Sequence, residues 1–167
     1  MLRARPWAQP GFTAAALLSM CAFTAAETIE EDMRAQPYFY TALGAFPSGS
    51  GGSSTWGIGA GMDFLMRGGF GLGGEVVGFG NQNYGFAIAA LNASYHFAPS
   101  GQQLSPFVKV GFGTGGEVGY GGVSFVNVGG GVNLWKLSGA AIRIEALDRF
   151  PTQGGAHHVS VQLGLTF

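Results

Sequence analysis

The chain reads as an all-β protein, an eight-stranded antiparallel up-and-down transmembrane β-barrel, and three observations predict this. The first is the final segment, H-V-S-V-Q-L-G-L-T-F. Apolar Val159, Val161, Leu163, Leu165 and Phe167 alternate there with His158, Ser160, Gln162, Gly164 and Thr166. Period two gives an extended strand with one apolar and one polar face, and a transmembrane barrel closes such a last strand against its first. The second is composition. Charged residues make up 10% of the 167 residues, against about 25% in ordinary soluble domains. Aromatics reach 13% and there are 31 Gly, yet no uncharged apolar run of about 18 residues follows the amino terminus, so no spanning helix is expected. The third is the amino terminus, which reads as a secretory signal.

Residues 1–26 carry Arg3 and Arg5, then the apolar run Gly11 to Phe23, then Thr24-Ala25-Ala26 as a small-residue cleavage site before Glu27. A rival lipoprotein box at Leu18-Ser19-Met20-Cys21 places Met20 where a small residue is required. Cleavage after Ala26 removes the only Cys, leaving no thiol, disulfide or Cys-based metal site. Residues 27–37, with Glu30, Glu31 and Asp32, read as a short solvated periplasmic tail. The barrel domain is expected over 38–167.

Eight strands are expected: Tyr38–Phe46, Thr55–Met66, Phe70–Gly80, Tyr84–Phe97, Phe107–Thr114, Val123–Trp135, Ala140–Arg149 and His158–Phe167. Turn chemistry separates them, as in Pro47-Ser48-Gly49-Ser50-Gly51-Gly52, Arg67-Gly68-Gly69, Asn81-Gln82-Asn83 and Pro99-Ser100-Gly101. Ten residues at about 3.3 Å each, tilted by about 40°, rise roughly 25 Å, the height of a lipid-facing band. An even strand count puts both termini on one side, expected to be the periplasm. Loops 47–54, 81–83, 115–122 and 150–157 then face outward, and turns 67–69, 98–106 and 136–139 face the periplasm.

The same periodicity sorts side chains. Expected to face lipid are Trp56, Ile58, Met62 and Phe64; Leu91, Tyr95 and Phe97; Val108, Val110 and Phe112; Val126, Val128, Val132 and Leu134; Ile142 and Ile144; and Val159 to Phe167 on alternate positions. Trp56, Tyr84, Tyr95, Phe97, Phe107, Phe125 and Phe167 sit near strand ends, where interfacial girdles belong. Asp63, Glu75, Lys109, Arg143, Glu145 and Arg149 all fall on the opposite face, the lumen. All six are expected to form a lumenal ion network, with Glu75, Lys109, Arg143 and Glu145 connected within it and plugging the barrel. Asp148 breaks the pattern beside the 150–157 loop. Gly57, Gly59, Gly61, Gly71, Gly73, Gly111, Gly113, Gly129 and Gly131 point inward, leaving room for bulk such as Glu75, Phe79 and Trp135.

The run Gly129-Gly-Gly-Val-Asn-Leu-Trp135, a short turn, Ala-Ile-Arg143-Ile-Glu145-Ala and a closing strand ending Gly164-Leu-Thr-Phe167 resembles the OmpA-like and opacity-type outer-membrane β-barrel family. Pro106-Phe-Val-Lys-Val-Gly-Phe-Gly113 looks like that family's fifth strand. The resemblance spans residues 38–167 and implies lumenal charge networks, here at Arg143 and Glu145. It also implies an assembly signal in the last strand, carried by Val159, Val161, Leu163, Leu165 and Phe167. The short outward loops depart from the family and weaken adhesin or receptor readings.

Other motifs carry less. Gly69 to Gly74 and Gly111 to Gly116 match G-x-G-x-x-G, but neither opens a helix, so nucleotide binding is not expected. His158-Val-Ser160 is similar to the dyad of outer-membrane lipid A deacylases, but that pattern expects a downstream acid and the chain ends seven residues later. Adjacent His157 and His158 point to opposite faces and cannot chelate together. From Glu27 onward six Lys or Arg stand against nine Asp or Glu, a net −3 with no basic patch, which excludes nucleic acid. The expected role is structural or interactive in the outer membrane of a Gram-negative-type bacterium, with a plugged polar lumen. The alternatives are a narrow pore or small-ligand transport barrel and, behind it, a lipid A-modifying enzyme. Expected partners are outer-membrane lipids, lipopolysaccharide and the outer-membrane assembly machinery, with a monomeric chain and no cofactor or metal.

Overall fold

A computed structural model of the chain describes residues 33–47, 53–82, 85–98, 103–117, 122–137 and 139–167. The expected signal peptide and residues 27–32 of the expected tail lie outside these residues, as does Tyr84. The elements are β1 Met33–Ala45, β2 Ser54–Met66, β3 Phe70–Gly80, β4 Gly85–His96, β5 Leu104–Glu117, β6 Val123–Leu137, β7 Ala140–Pro151 and β8 His158–Thr166. Each strand pairs antiparallel with its neighbour in sequence, and β8 pairs with β1, closing the barrel. Closure removes both sheet edges, so the ladder leaves few backbone donors unpaired.

The strand ends differ from expectation chiefly in β1 and β5. β1 begins at Met33, five residues before Tyr38, so residues 33–37 belong to the wall and not to a tail. Pro37 does not end the strand, because it sits at the barrel seam: its carbonyl accepts from Phe167 N at 3.1 Å, and the missing N–H costs nothing in the ladder to β2. β5 runs from Leu104 to Glu117, three residues longer at each end than expected.

The register sets the barrel's shape. From Tyr38 the pairing passes through Gly61, Glu75, Ala90, Gly113 and Phe125 to Pro151 on β7. In the other direction it passes through Thr166 to Ala141 on the same strand. The two routes arrive ten residues apart, which is the shear. Eight strands about 4.8 Å apart with about 3.3 Å rise then tilt by about 41°, within the usual barrel range.

Inside and outside follow strict alternation. Leu43, Trp56, Leu91, Val110, Phe112, Ile144 and Leu163 are exposed on the outer wall, Leu91 by 75%. Inward neighbours are buried. Two of the aromatics expected in the girdle are not there. Phe107 and Phe125 are 2% and 5% exposed and point into the lumen, because they share strand parity with Lys109 and Asn127 respectively. Position near a strand end does not decide the face; parity does.

Glycines make room within this narrow tube. A methyl at Gly61 would strike the Tyr38 ring, one at Gly59 the Tyr40 ring and one at Gly131 the Phe107 ring. Tyr38 pairs with Gly61 and Tyr40 with Gly59, so large and small residues face each other across the β1–β2 ladder. The β2–β3 turn needs glycine for a different reason: Gly68 and Gly69 hold φ of 105° and 88°, a region that side chains disfavour.

Candidate functional site: the barrel lumen

Six charges from four strands meet in the lumen. Asp63 on β2, Glu75 on β3, Lys109 on β5 and Arg143, Glu145 and Arg149 on β7 are all buried. Arg143 Nη1 lies 2.9 Å from Asp63 Oδ2, and Nη2 lies 3.0 Å from Glu145 Oε2. Lys109 Nζ contacts Glu145 Oε1 at 2.5 Å and Glu75 Oε2 at 3.0 Å. Arg149 Nη2 reaches Glu75 Oε1 at 3.3 Å. The six form one chain, Asp63–Arg143–Glu145–Lys109–Glu75–Arg149, in which the signs alternate at every step. Each interior member therefore sits between two opposite charges, and the set sums to zero. That pattern offsets the desolvation that makes isolated buried charges costly.

Aromatic rings complete the packing. The Arg143 guanidinium lies 4.2 Å from the Tyr38 ring centroid and 4.3 Å from that of Phe107, a cation held between two π faces. Arg149 lies over Phe79 at 5.4 Å. Below Arg149, Asn127 Nδ2 donates to Asn92 Oδ1 at 2.8 Å, and a methyl at Gly111 would collide with both amides.

The two ends of the lumen differ. At the end away from the termini, His158 is ringed by Phe79 at 4.6 Å, Phe46 at 4.7 Å and Phe86 at 5.7 Å between centroids, and its Nε2 is 3.0 Å from Thr55 Oγ1. At the end that carries Met33 and Thr166, Gln36, Ser94, His96, Ser105 and Asn133 are buried beside Ala98, Phe107 and Ala141. Arg34, from the start of β1, stacks over Trp135 of β6 at 5.2 Å.

The His158-Val-Ser160 pair does not form a dyad. His158 Nε2 faces Thr55, and Ser160 Oγ accepts from Arg149 Nη1 at 2.8 Å. His158 is therefore not placed to take a proton from Ser160, which activation of a serine nucleophile requires. The histidines do split between faces. His157 lies outside, with Nδ1 2.8 Å from Asp148 Oδ1, and its ring stacks on Phe150 at 5.5 Å. This is the partner that lets Asp148 sit on the outer wall. Among the described residues no group of three or more His, Cys, Asp or Glu is arranged to hold a metal ion.

The expected assembly-signal residues Val159, Val161, Leu163, Leu165 and Phe167 are all exposed on the outer wall of β8 or just past its end. With Phe39 and Thr41 of β1, Leu163, Leu165 and Phe167 line a shallow apolar groove along the β1–β8 seam. Sequence reading missed Tyr38 and Tyr40 as lumen residues, the Phe46–Phe79–Phe86 ring around His158, and the His157–Asp148 pair. The signal for the first was present in the facing glycines of β2. The others depend on which positions of separate strands come level with one another, and the closed register, not any local pattern, sets that.

No family model matches the chain, and no curated protein matches it. Solved structures do. The N-terminal β-barrel domain of Pseudomonas aeruginosa OprF is similar with a TM-score of 0.59 at 14% identity, over 79% of this chain and 97% of that one. Neisserial surface protein A gives 0.64 at 10% identity, over 81% and 98%. Ail, the attachment invasion locus protein of Yersinia pestis, gives 0.61 at 13% identity, over 83% and 100%. At these identities the likeness is one of fold, and the chain has the fold of small eight-stranded outer-membrane β-barrels.

Proposed function

We propose that this chain is an outer-membrane β-barrel with a structural or interaction role, not an enzyme, and that its lumen is plugged. The observation that carries the reading is the inverted polarity of the wall. Six charges are buried inside while Leu43, Trp56, Leu91, Phe112 and Leu163 are exposed outside. A bare Arg or Lys facing lipid near the midplane would cost about 2–4 kcal/mol, and none of the lumenal three does so. In this reading both termini are periplasmic and the barrel is a monomer that meets lipopolysaccharide and phospholipid directly. Its last strand serves the assembly machinery. An eight-stranded barrel is only wide enough for side chains to fill or for one small ligand. The alternating ion chain and the ring cluster around His158 fill it. The partners of His158 and Ser160 are what speak against the deacylase alternative.

Planar-bilayer recording tests the plug. The folded wild type is expected to conduct poorly and Arg143→Ala measurably better, because Arg143 ties β7 to β2 through Asp63. Steady, open-pore conductance from the wild type would favour the narrow-pore alternative and overturn the plug.

A further inference from the structure

Asp148 of β7 departs from the polarity of the wall. It stands on the outer face, and its side chain is 28% exposed. Its register partners are Val128 of β6 and Val159 of β8, both exposed to the outside. Its neighbours on the same strand and face are Ala146 and Phe150, also exposed. At about 3.3 Å rise and about 41° tilt each residue adds about 2.5 Å along the axis, so Asp148 lies about 5 Å deeper than Phe150. Phe150 and Trp56, both exposed, come level at the end away from the termini. Aromatic rings there mark the border between headgroups and acyl chains. Asp148 is therefore at the depth where acyl chains join their headgroup.

We propose that Asp148 and His157 form an outer-wall site for a lipid that carries amide N–H or hydroxyl donors where its acyl chains join the headgroup, the chemistry of acylated amino-sugar lipids. Among the described residues the carboxylate meets one donor, His157 Nδ1, at 2.8 Å from Oδ1 and 2.9 Å from Oδ2. One ring nitrogen supplies at most one proton to both oxygens, whereas a carboxylate has about four acceptor positions and donates nothing. The backbone around it is taken up in the ladders to β6 and β8, so the remaining lone pairs face the lipid. A carboxylate left without donors at an apolar surface is costly. Ester-linked glycerolipids place only carbonyl acceptors at that depth and offer it nothing. Amide and hydroxyl groups give it short, charge-assisted bonds. The His157 ring lies flat against Phe150, at 5.5 Å and 8°, so its nitrogen edge is held to the carboxylate and the pair presents an apolar face beside it. The site rests on the outer-membrane reading above, which puts this end of the barrel in the outer leaflet.

A pair of lipids that share a headgroup and differ in linkage tests the site. Sphingomyelin carries an amide N–H and a hydroxyl where phosphatidylcholine carries esters, and both end in phosphocholine. The full chain, folded in detergent micelles, is titrated with each and the bound copies are counted by native mass spectrometry. Sphingomyelin is expected to bind at least about tenfold more tightly, since hydrogen bonds to a charged group are the strong ones. Asp148→Val, which matches the position to its valine neighbours, should erase that preference and leave phosphatidylcholine binding unchanged. Lipid A is expected to bind the wild type more tightly than phosphatidylglycerol does, and to lose that advantage in Asp148→Val. Lipid A is anionic, so removing an acidic residue would strengthen its binding if charge alone decided; the site predicts the opposite sign. Equal binding of the two phosphocholine lipids by the wild type overturns the site. So does a preference that survives Asp148→Val, or tighter lipid A binding by that variant. The wild-type comparison stands even if Asp148→Val fails to fold. Membrane fractionation reads the outer-membrane placement separately: a barrel found there without the lipid preference lacks the site, whereas a soluble chain fails the reading on which it rests.

Discussion

Replacing Arg143 with alanine tests the lumenal chain at its most connected cation. The substitution removes bonds to Asp63 at 2.9 Å and Glu145 at 3.0 Å, and a cation held between Tyr38 and Phe107. Glu145 keeps Lys109 as a partner, but Asp63 keeps no cation in the chain. Removing one member of a buried pair costs about 3–5 kcal/mol because it strands an uncompensated charge, and water entering the lumen lowers that figure. The expected loss is therefore about 3 kcal/mol, a fall of more than about 100-fold in the folded-to-unfolded ratio. Lipid-facing Ile144→Val, one residue away, removes one methyl for about 0.5–1.5 kcal/mol at most. Urea unfolding of the barrel in lipid vesicles, followed by tryptophan emission, measures both. Adding Asp63→Asn to Arg143→Met, which removes the stranded charge, should recover part of the loss. If Arg143→Ala unfolds no more readily than Ile144→Val, the ion chain contributes nothing and the reasoning fails.

Three further outcomes are expected. Phe167→Ala should lower the folded membrane fraction in pulse-labelled cells far more than Thr166→Ala, although Thr166 is the buried one and donates to Pro37 O at 3.2 Å; equal assembly of the two would refute the role of the terminal ring. Gly59→Ala, which drives a methyl into the Tyr40 ring, should destabilise by about 1–3 kcal/mol, while Gly78→Ala, with open space at its Cβ, should be neutral or stabilise by about 0.4–1 kcal/mol in the same unfolding assay. His157→Ala should cost about 1 kcal/mol or less by removing the partner of part-exposed Asp148, and a loss as large as that of Arg143→Ala would show that the outer-wall pair matters more than the lumen.

The wall was legible in the sequence because a strand's period is two and the two faces of the barrel wall differ in polarity. Parity alone sends Lys109 and Arg143 inward and Val110 and Ile144 outward. Which inward residues meet was not legible from parity. Depth in a barrel depends on the shear, and the shear is a property of the whole closed register. Asp63 and Arg149 sit at opposite ends of the ion chain because of that offset, not because of any local spacing. The start of β1 was hidden for a different reason: Met33-Arg34-Ala35-Gln36-Pro37 does alternate apolar and polar residues, but it is short, it follows the acidic run Glu30-Glu31-Asp32, and its proline argues locally against a strand. Gln36 is nonetheless buried, because β2 supplies Asp63 as its register partner. The girdle assignment of Phe107 and Phe125 failed where nearness to a strand end was weighed above parity.

The account's central claim is that this chain crosses an outer membrane as a closed barrel, and membrane fractionation read on a detergent gel tests it most directly. The predicted result is recovery with outer membranes in a form that migrates differently before and after boiling, because a closed sheet resists detergent until heated. Recovery as a soluble periplasmic protein without detergent, with one mobility in both samples, would contradict it.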